Sequence, residues 1–325
     1  MISISSLIKL FSLLSVFSVL TSCTSYEPGI YKNEKINTSQ KEDFHALNNQ
    51  MLEGLKANSP RLMEGVMSRE MIEDNSRLRL IELCSNRLKE DSYTLLDEYY
   101  IVNKERGKKV IKAPNYDLSY DADTREMYMA FFIPKSIPNK YMISAIYCKY
   151  DYGWKLSHLE LNPYALNGKT APELFEKAKQ AYAQKYLLNA LNNVEQAKVC
   201  ANPYEGWKYP DETVMNDFYS KVIDEINMKY LYPLTLKQVP THPRIFSIST
   251  QTTPDGVFPL VYYMSSIKLK DTAALRKENE NIKKVIGKVI PGIDKDKKYV
   301  FYDAFNEWPR NDRSVDRYDI TEKLK

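Results

Sequence analysis

Three histidines, four cysteines and a few paired carboxylates hold most of the chemistry this chain can offer, and their spacing restricts it sharply. His45, His158 and His242 are too far apart for any two to share one helix turn, so local sequence builds no H-E-x-x-H zinc helix. Asp121-Ala122-Asp123 opens like a calcium loop, but Arg125 and Glu126 follow where an oxygen ligand and a glycine are needed. Asp294-Lys295-Asp296 fails in the same way at Lys298. Gly287 and Gly292 have phosphate-loop separation, yet Ile293-Asp294 replaces the required Lys-Ser/Thr pair. The 10 glycines include no pair two apart, so G-x-G-x-x-G cannot be written, and no G-x-S-x-G elbow occurs. No C-x-x-C is present, which removes zinc knuckles and redox dithiols. The residues therefore point to no catalytic centre, no metal and no cofactor.

Two residues remain as ligand-binding candidates, His158 and Trp154. They share an alternating stretch, and strand periodicity puts His158 on the same face as Trp154 and Leu156. There His158 would serve as a general base or ligand inside a cavity; the competing reading is a half-buried or rim histidine, which the absence of a recognisable partner favours. The 25 Tyr, 11 Phe and 3 Trp mostly alternate within strands, as packing residues do. Glycan binding would require Trp154, Trp207 or Trp308 in an exposed groove. Lys104–Lys109 is the densest basic cluster, suited to acidic lipid headgroups or to a solvated hairpin loop. The net charge of +4, which includes Lys9, is too small for an electrostatic nucleic-acid binder.

The start of the chain carries an address. Lys9 is followed by the apolar run Leu10–Leu20, too short to span a bilayer as a settled helix. It ends in Leu20-Thr21-Ser22-Cys23, which resembles the bacterial lipobox, although several basic residues usually precede the apolar run and here there is one. The resemblance implies cleavage after residue 22, diacylation of Cys23 and acylation of its new amine. Thr24 at the following position implies the outer membrane, with the body facing the periplasm. Residues 23–40 read as a flexible tether with a span of roughly 20–25 Å. The remaining Cys84, Cys148 and Cys200 allow one disulfide at most; three buried thiols are the simpler reading.

The elements that must position these residues follow from period and punctuation. Ser39 with Glu42 makes a capping box for a helix bearing Phe44, Leu47, Met51, Leu52 and Leu55. Ser59-Pro60 starts a short helix, and Leu78, Ile81, Cys84 and Leu88 mark a third. The period then becomes two over 93–103, 126–133, 141–151 and 154–161, with Asp151-Tyr152-Gly153 as a hairpin turn. Over 41–165, three helices followed by a meander closing on Gly153-Trp154-Lys155-Leu156 resemble the NTF2-like family, which implies an α+β cone with helices on a bent antiparallel sheet.

Residues 166–232 read as helical. Ala178, Ala190, Ala197 and Pro203 resemble a single tetratricopeptide hairpin, with Lys177 and Lys185 departing from the repeat where it takes a large apolar residue and glycine. Residues 233–308 read as a small ββαβ domain, turned at Thr253-Pro254-Asp255-Gly256 and with Asp271 capping its helix. Residues 309–325 read as a charged tail, loose or pinned by its few apolar side chains. The functional expectation is a membrane-anchored envelope lipoprotein acting as a non-enzymatic scaffold, with an envelope protein partner. The alternatives are a binder or enzyme using the cone cavity, whose small-molecule ligand is unknown, and a glycan-binding lipoprotein.

Overall fold

The structure, a computed structural model, describes residues 27–310 and 312–324; residues 1–22 and Cys23 lie outside the described residues. Order begins earlier than composition suggests. Gly29–Lys32 forms β1 and Asn37 caps α1 (Thr38–Lys56), its side-chain oxygen accepting from the Ser39 amide. The expected tether is thus structured from Gly29 onward, and the cap is Asn37 in place of Ser39. Ser59 caps α2 (Pro60–Val66) through the Leu62 amide, with Pro60 in its first turn as expected. A short α3 (Arg69–Glu73), capped by Ser68, precedes α4 (Arg77–Glu90).

The period-two stretches all become strands: β2 (Tyr93–Val102), β5 (Glu126–Pro134), β6 (Lys140–Tyr150) and β7 (Gly153–Leu166). Between β2 and β5 lies a hairpin of β3 (Gly107–Lys112) and β4 (Asp117–Ala122), so the basic cluster runs from a loop into a strand. With β8 (Lys169–Thr170), the curled antiparallel sheet has the order β1-β2-β5-β6-β7-β8. The fold is α+β.

Alternation along these strands feeds two cores. One face carries Tyr100, Tyr128, Ala130, Tyr147 and Leu156, which pack under Phe44, Met51 and Leu55 of α1, Met63 of α2 and Ile81 and Cys84 of α4. The other face carries Tyr99, Ile101, Met129, Phe131 and Ile146. It is covered by the β3–β4 hairpin and by α5 (Ala171–Ala183) and α6 (Leu187–Val199), which contribute Leu118, Leu174, Ala178, Val194 and Ala197. Ala178, Ala190 and Ala197 are fully buried, as close helix packing requires. Thr170 and Glu173 form a capping box on α5, and those hydrogen bonds hold the Glu173 carboxyl below its ordinary range.

β9 (Trp207–Lys208) adds a third strand beside β4, and Trp207 stacks on Tyr116 at 3.5 Å. The Ser119 amide donates to the Gly206 carbonyl at 2.7 Å, and a Cβ on Gly206 would collide with the Ser119 backbone. Gly206→Ala is therefore expected to cost about 1–3 kcal/mol, the usual penalty of overpacking, in urea unfolding. An unchanged midpoint would show that the β4–β9 contact is dispensable.

Asp211 sits at the N-cap of α7 (Glu212–Lys229) without a side-chain bond. The last sheet has the order β10-β11-β12-β13-β14, from β10 (Leu234–Thr235), β11 (Arg244–Thr253), β12 (Gly256–Met264), β13 (Tyr299–Phe305) and β14 (Arg317–Lys323). β12 and β13 pair in parallel, joined through α8 (Thr272–Val289), which Asp271 caps through the Ala274 amide. The expected charged tail contains β14, paired along all of β13 and pinned by Tyr318, Ile320 and Leu324 on the third core. That core also receives Ala181, Leu187 and Ala190, so the helical hairpin is shared between two cores and buries faces it could not bury alone. Cys84, Cys148 and Cys200 are all free and buried.

Candidate functional site

Strand β7 positions His158, and one extra residue decides where it points. Leu156 pairs with Tyr147 and His158 with Ile146, so Ser157 is an extra residue on β7, a β-bulge. A one-residue slip exchanges the faces of a strand. Leu156 therefore stays in the helix-covered core, while His158 emerges on the opposite face beside Met127, Met129 and Ile146. The expected shared face of Trp154, Leu156 and His158 is thus broken at Ser157. Trp154 remains under the helices, edge-on to Phe44 at 5.2 Å. The two ligand candidates lie on opposite faces of the sheet.

His158 opens onto a cleft of about 560 Å³. Its Nε2 lies 2.7 Å from Glu160 Oε1, and the other carboxylate oxygen accepts from Asn162 Nδ2 at 2.7 Å and the Glu205 amide at 3.1 Å. The hydrogen bond that the ring donates to Glu160 raises the His158 pKa, burial opposes it, and the Glu160 and Glu205 charges add to the rise. Glu70, Asp121 and Asp123 join the same wall, with Arg106 as the opposing cation. Burial, then the Asp121 and Glu70 charges, push the Asp123 carboxyl up. The rejected calcium-loop pair therefore ends up in the same cleft as the histidine.

One nitrogen of His158 and one oxygen each from Glu160 and Glu205 lie within 4.8 Å of one another. Such a mixed imidazole–carboxylate set suits a divalent cation, and the surrounding carboxylates make the cleft attractive to positive charge. The chemistry on offer is cation binding and proton exchange at His158. Sequence reasoning found His158 but missed Asp121, Asp123 and Glu205 as its neighbours, because they arrive from β4, the turn after it and the loop before β9.

The raised His158 pKa has a consequence for stability. The protonated form is favoured in the folded state, so its contribution is full below the unfolded value of about 6.5 and is lost as pH rises through the folded value. His158→Gln should remove that component of the pH dependence from thermal melts between pH 6 and 8. Parallel wild-type and variant curves across that window would exclude it.

The other tryptophans do not share a groove. Trp207 is buried on Tyr116, whereas Trp308 is partly exposed against Phe246 and below Arg244. No protein-family model matches this chain, and the search of curated proteins returns no match either.

Proposed function

We propose that this chain is a lipid-anchored protein of the cell envelope, facing the periplasm from the outer membrane, whose body acts as a non-enzymatic scaffold. The observation that carries the reading is Leu20-Thr21-Ser22-Cys23 standing six residues before β1 begins at Gly29. Six peptide steps span at most about 22 Å, so acyl chains on Cys23 would hold the fold close to the bilayer. Gly29 pairs with Val102, the last residue of β2, so the anchor joins at the sheet end from which Lys104–Lys109 departs. That placement supports contact of the basic cluster with anionic headgroups.

Helices on one face of a curled meander support the NTF2-like resemblance, and the buried alanines support the tetratricopeptide-like one. The helix-covered face is solid: Phe44, Met51, Tyr128 and Tyr147 are at most 2% exposed. A packed interior favours the scaffold over a catalytic cone. A second reading, small-ligand or cation binding, is favoured by the His158–Glu160 pair in its open cleft.

The test is fractionation of cells expressing the wild-type chain, with mass analysis of the N-terminal peptide. Membrane recovery with an acylated Cys23 is expected, together with a stoichiometric envelope partner on affinity purification. A freely dissolved product cut at another bond overturns the anchor, and repeated recovery of the lipoprotein alone overturns the scaffold.

A further inference from the structure

A second pocket, independent of the anchor and of the His158 cleft, lies between α5, α6, the β11–β12 turn and the loop after α8. Its volume is about 320 Å³, at the lower end of the range for small-molecule sites. Lys297 forms part of the wall. Its Nζ donates to Asn189 Oδ1 at 2.7 Å and to the carbonyls of Gly292 and Lys295, both at 3.0 Å. All three acceptors are neutral. Burial pushes the ammonium down to about 8, with the like charge of Lys177 second, so it remains largely charged at neutral pH.

Lys177 faces the same pocket from α5 and is half-buried. Among the described residues its ammonium has neither a hydrogen bond nor an ion-pair partner, and Lys297 likewise has no carboxylate within 4 Å. Asp296 acts on both, and Asp294 on Lys297 as well, only at longer range. Asp255, the other carboxylate of the wall, is held by Lys298 at 2.7 Å.

Partial withdrawal of a cation from water is costly unless an opposite charge accompanies it, and here two half-buried lysines share one cavity without a contacting counter-ion. A second feature points the same way. Asn193 on α6 is 9% exposed, lines the pocket and makes no side-chain hydrogen bond among the described residues. Buried amides ordinarily find partners, so its donor and acceptor are available to whatever occupies the space. The neighbouring amides are committed: Asn167 Nδ2 donates to Gln196 Oε1 at 2.7 Å, and Gln196 Nε2 to Asn192 Oδ1 at 2.8 Å.

We propose that this pocket binds a small hydroxylated oxyanion, a carboxylate or a phosphate monoester, which Lys177 and Lys297 attract by charge and Asn193 orients by hydrogen bonding. The charge explains the anion. The free amide, a donor and an acceptor together, explains the hydroxyl, and the volume limits the ligand to about monosaccharide size.

Calorimetric titration of the full-length product at pH 7 and low ionic strength tests this with gluconate, glucose 6-phosphate and glucose. Saturable binding of at least one anion, none of glucose, and a tenfold or greater loss of affinity in Lys177→Gln and Lys297→Met are expected. Lys177→Gln alters a half-buried side chain with no bonds to lose, so it keeps the test valid if Lys297→Met does not fold. Binding of the ester alone assigns phosphate, and of gluconate alone assigns carboxylate; either result carries the proposal. No saturable anion binding, equal affinity in the variants, or glucose binding as tightly as its phosphate overturns it.

Discussion

Phe44→Ala is expected to destabilise the fold by about 3–5 kcal/mol, the usual cost of deleting a buried aromatic ring from a core that cannot collapse around the gap. Phe44 is 2% exposed and is held on three sides. Its ring stacks on Tyr128 at 4.2 Å, meets Trp154 edge-on at 5.2 Å and touches Tyr100 at 5.3 Å. These partners belong to three different strands, so the ring fastens α1 across β2, β5 and β7 at once. The neighbours are constrained as well, which limits relaxation. Asn48 Nδ2 donates to the Tyr128 hydroxyl at 2.7 Å, and that hydroxyl donates to Glu98 Oε2 at 2.8 Å. Urea unfolding followed by far-UV circular dichroism measures the loss, with Leu62→Ala on the exposed side of α2 as the control, expected within about 0.5 kcal/mol of wild type. A Phe44→Ala loss below about 1 kcal/mol would mean that the helix layer is held elsewhere.

The same core shows what sequence can and cannot reveal. Tyr99–Val102 and Met127–Phe132 announce their strands because both faces of the sheet are covered and nearly every residue is aromatic, aliphatic or sulfur-bearing. The turn at Asp151-Tyr152 is equally plain, since Gly153 takes a φ of +105° that favours glycine. The β3–β4 hairpin is hidden by its composition. Gly107–Lys112 and Asp117–Ala122 carry five charged residues in twelve, and their few inward residues, Ile111, Leu118, Tyr120 and Ala122, gain a core only from distant strands and helices.

The candidate site is hidden for a different reason. His158 was identifiable by residue type, but nothing in Leu156-Ser157-His158 marks Ser157 as the extra residue that turns the imidazole away from Trp154. The departures from the tetratricopeptide pattern proved informative. Lys185, where the repeat takes glycine, adopts a φ of +62°. Lys177, where the repeat takes a large apolar side chain, faces the pocket that Lys297 shares. The buried Ala178, Ala190 and Ala197 explain why the helices pair closely, whatever the departures at Lys177 and Lys185.

Cys23→Ala is expected to abolish fatty-acid incorporation outright and to leave a precursor 22 residues longer than the mature chain. The argument is one of chemistry and then of magnitude. Only a thiol accepts the thioether-linked glyceride that the lipobox resemblance implies, and no alanine substitutes for it. A single acyl chain binds membranes only marginally, whereas two or three hold stably, each buried methylene adding about 0.8 kcal/mol. No helix among the described residues is long and apolar enough to cross a membrane. The basic Lys104–Lys109 segment can contribute about 1 kcal/mol per cation near an anionic surface, and salt screens that attraction. Metabolic labelling with radioactive palmitate, read beside the mobility of the product, separates the possibilities. Palmitate uptake by the alanine variant would mean that another residue carries the lipid, and an unlabelled wild type would remove the anchor together with the placement of the basic cluster at the membrane.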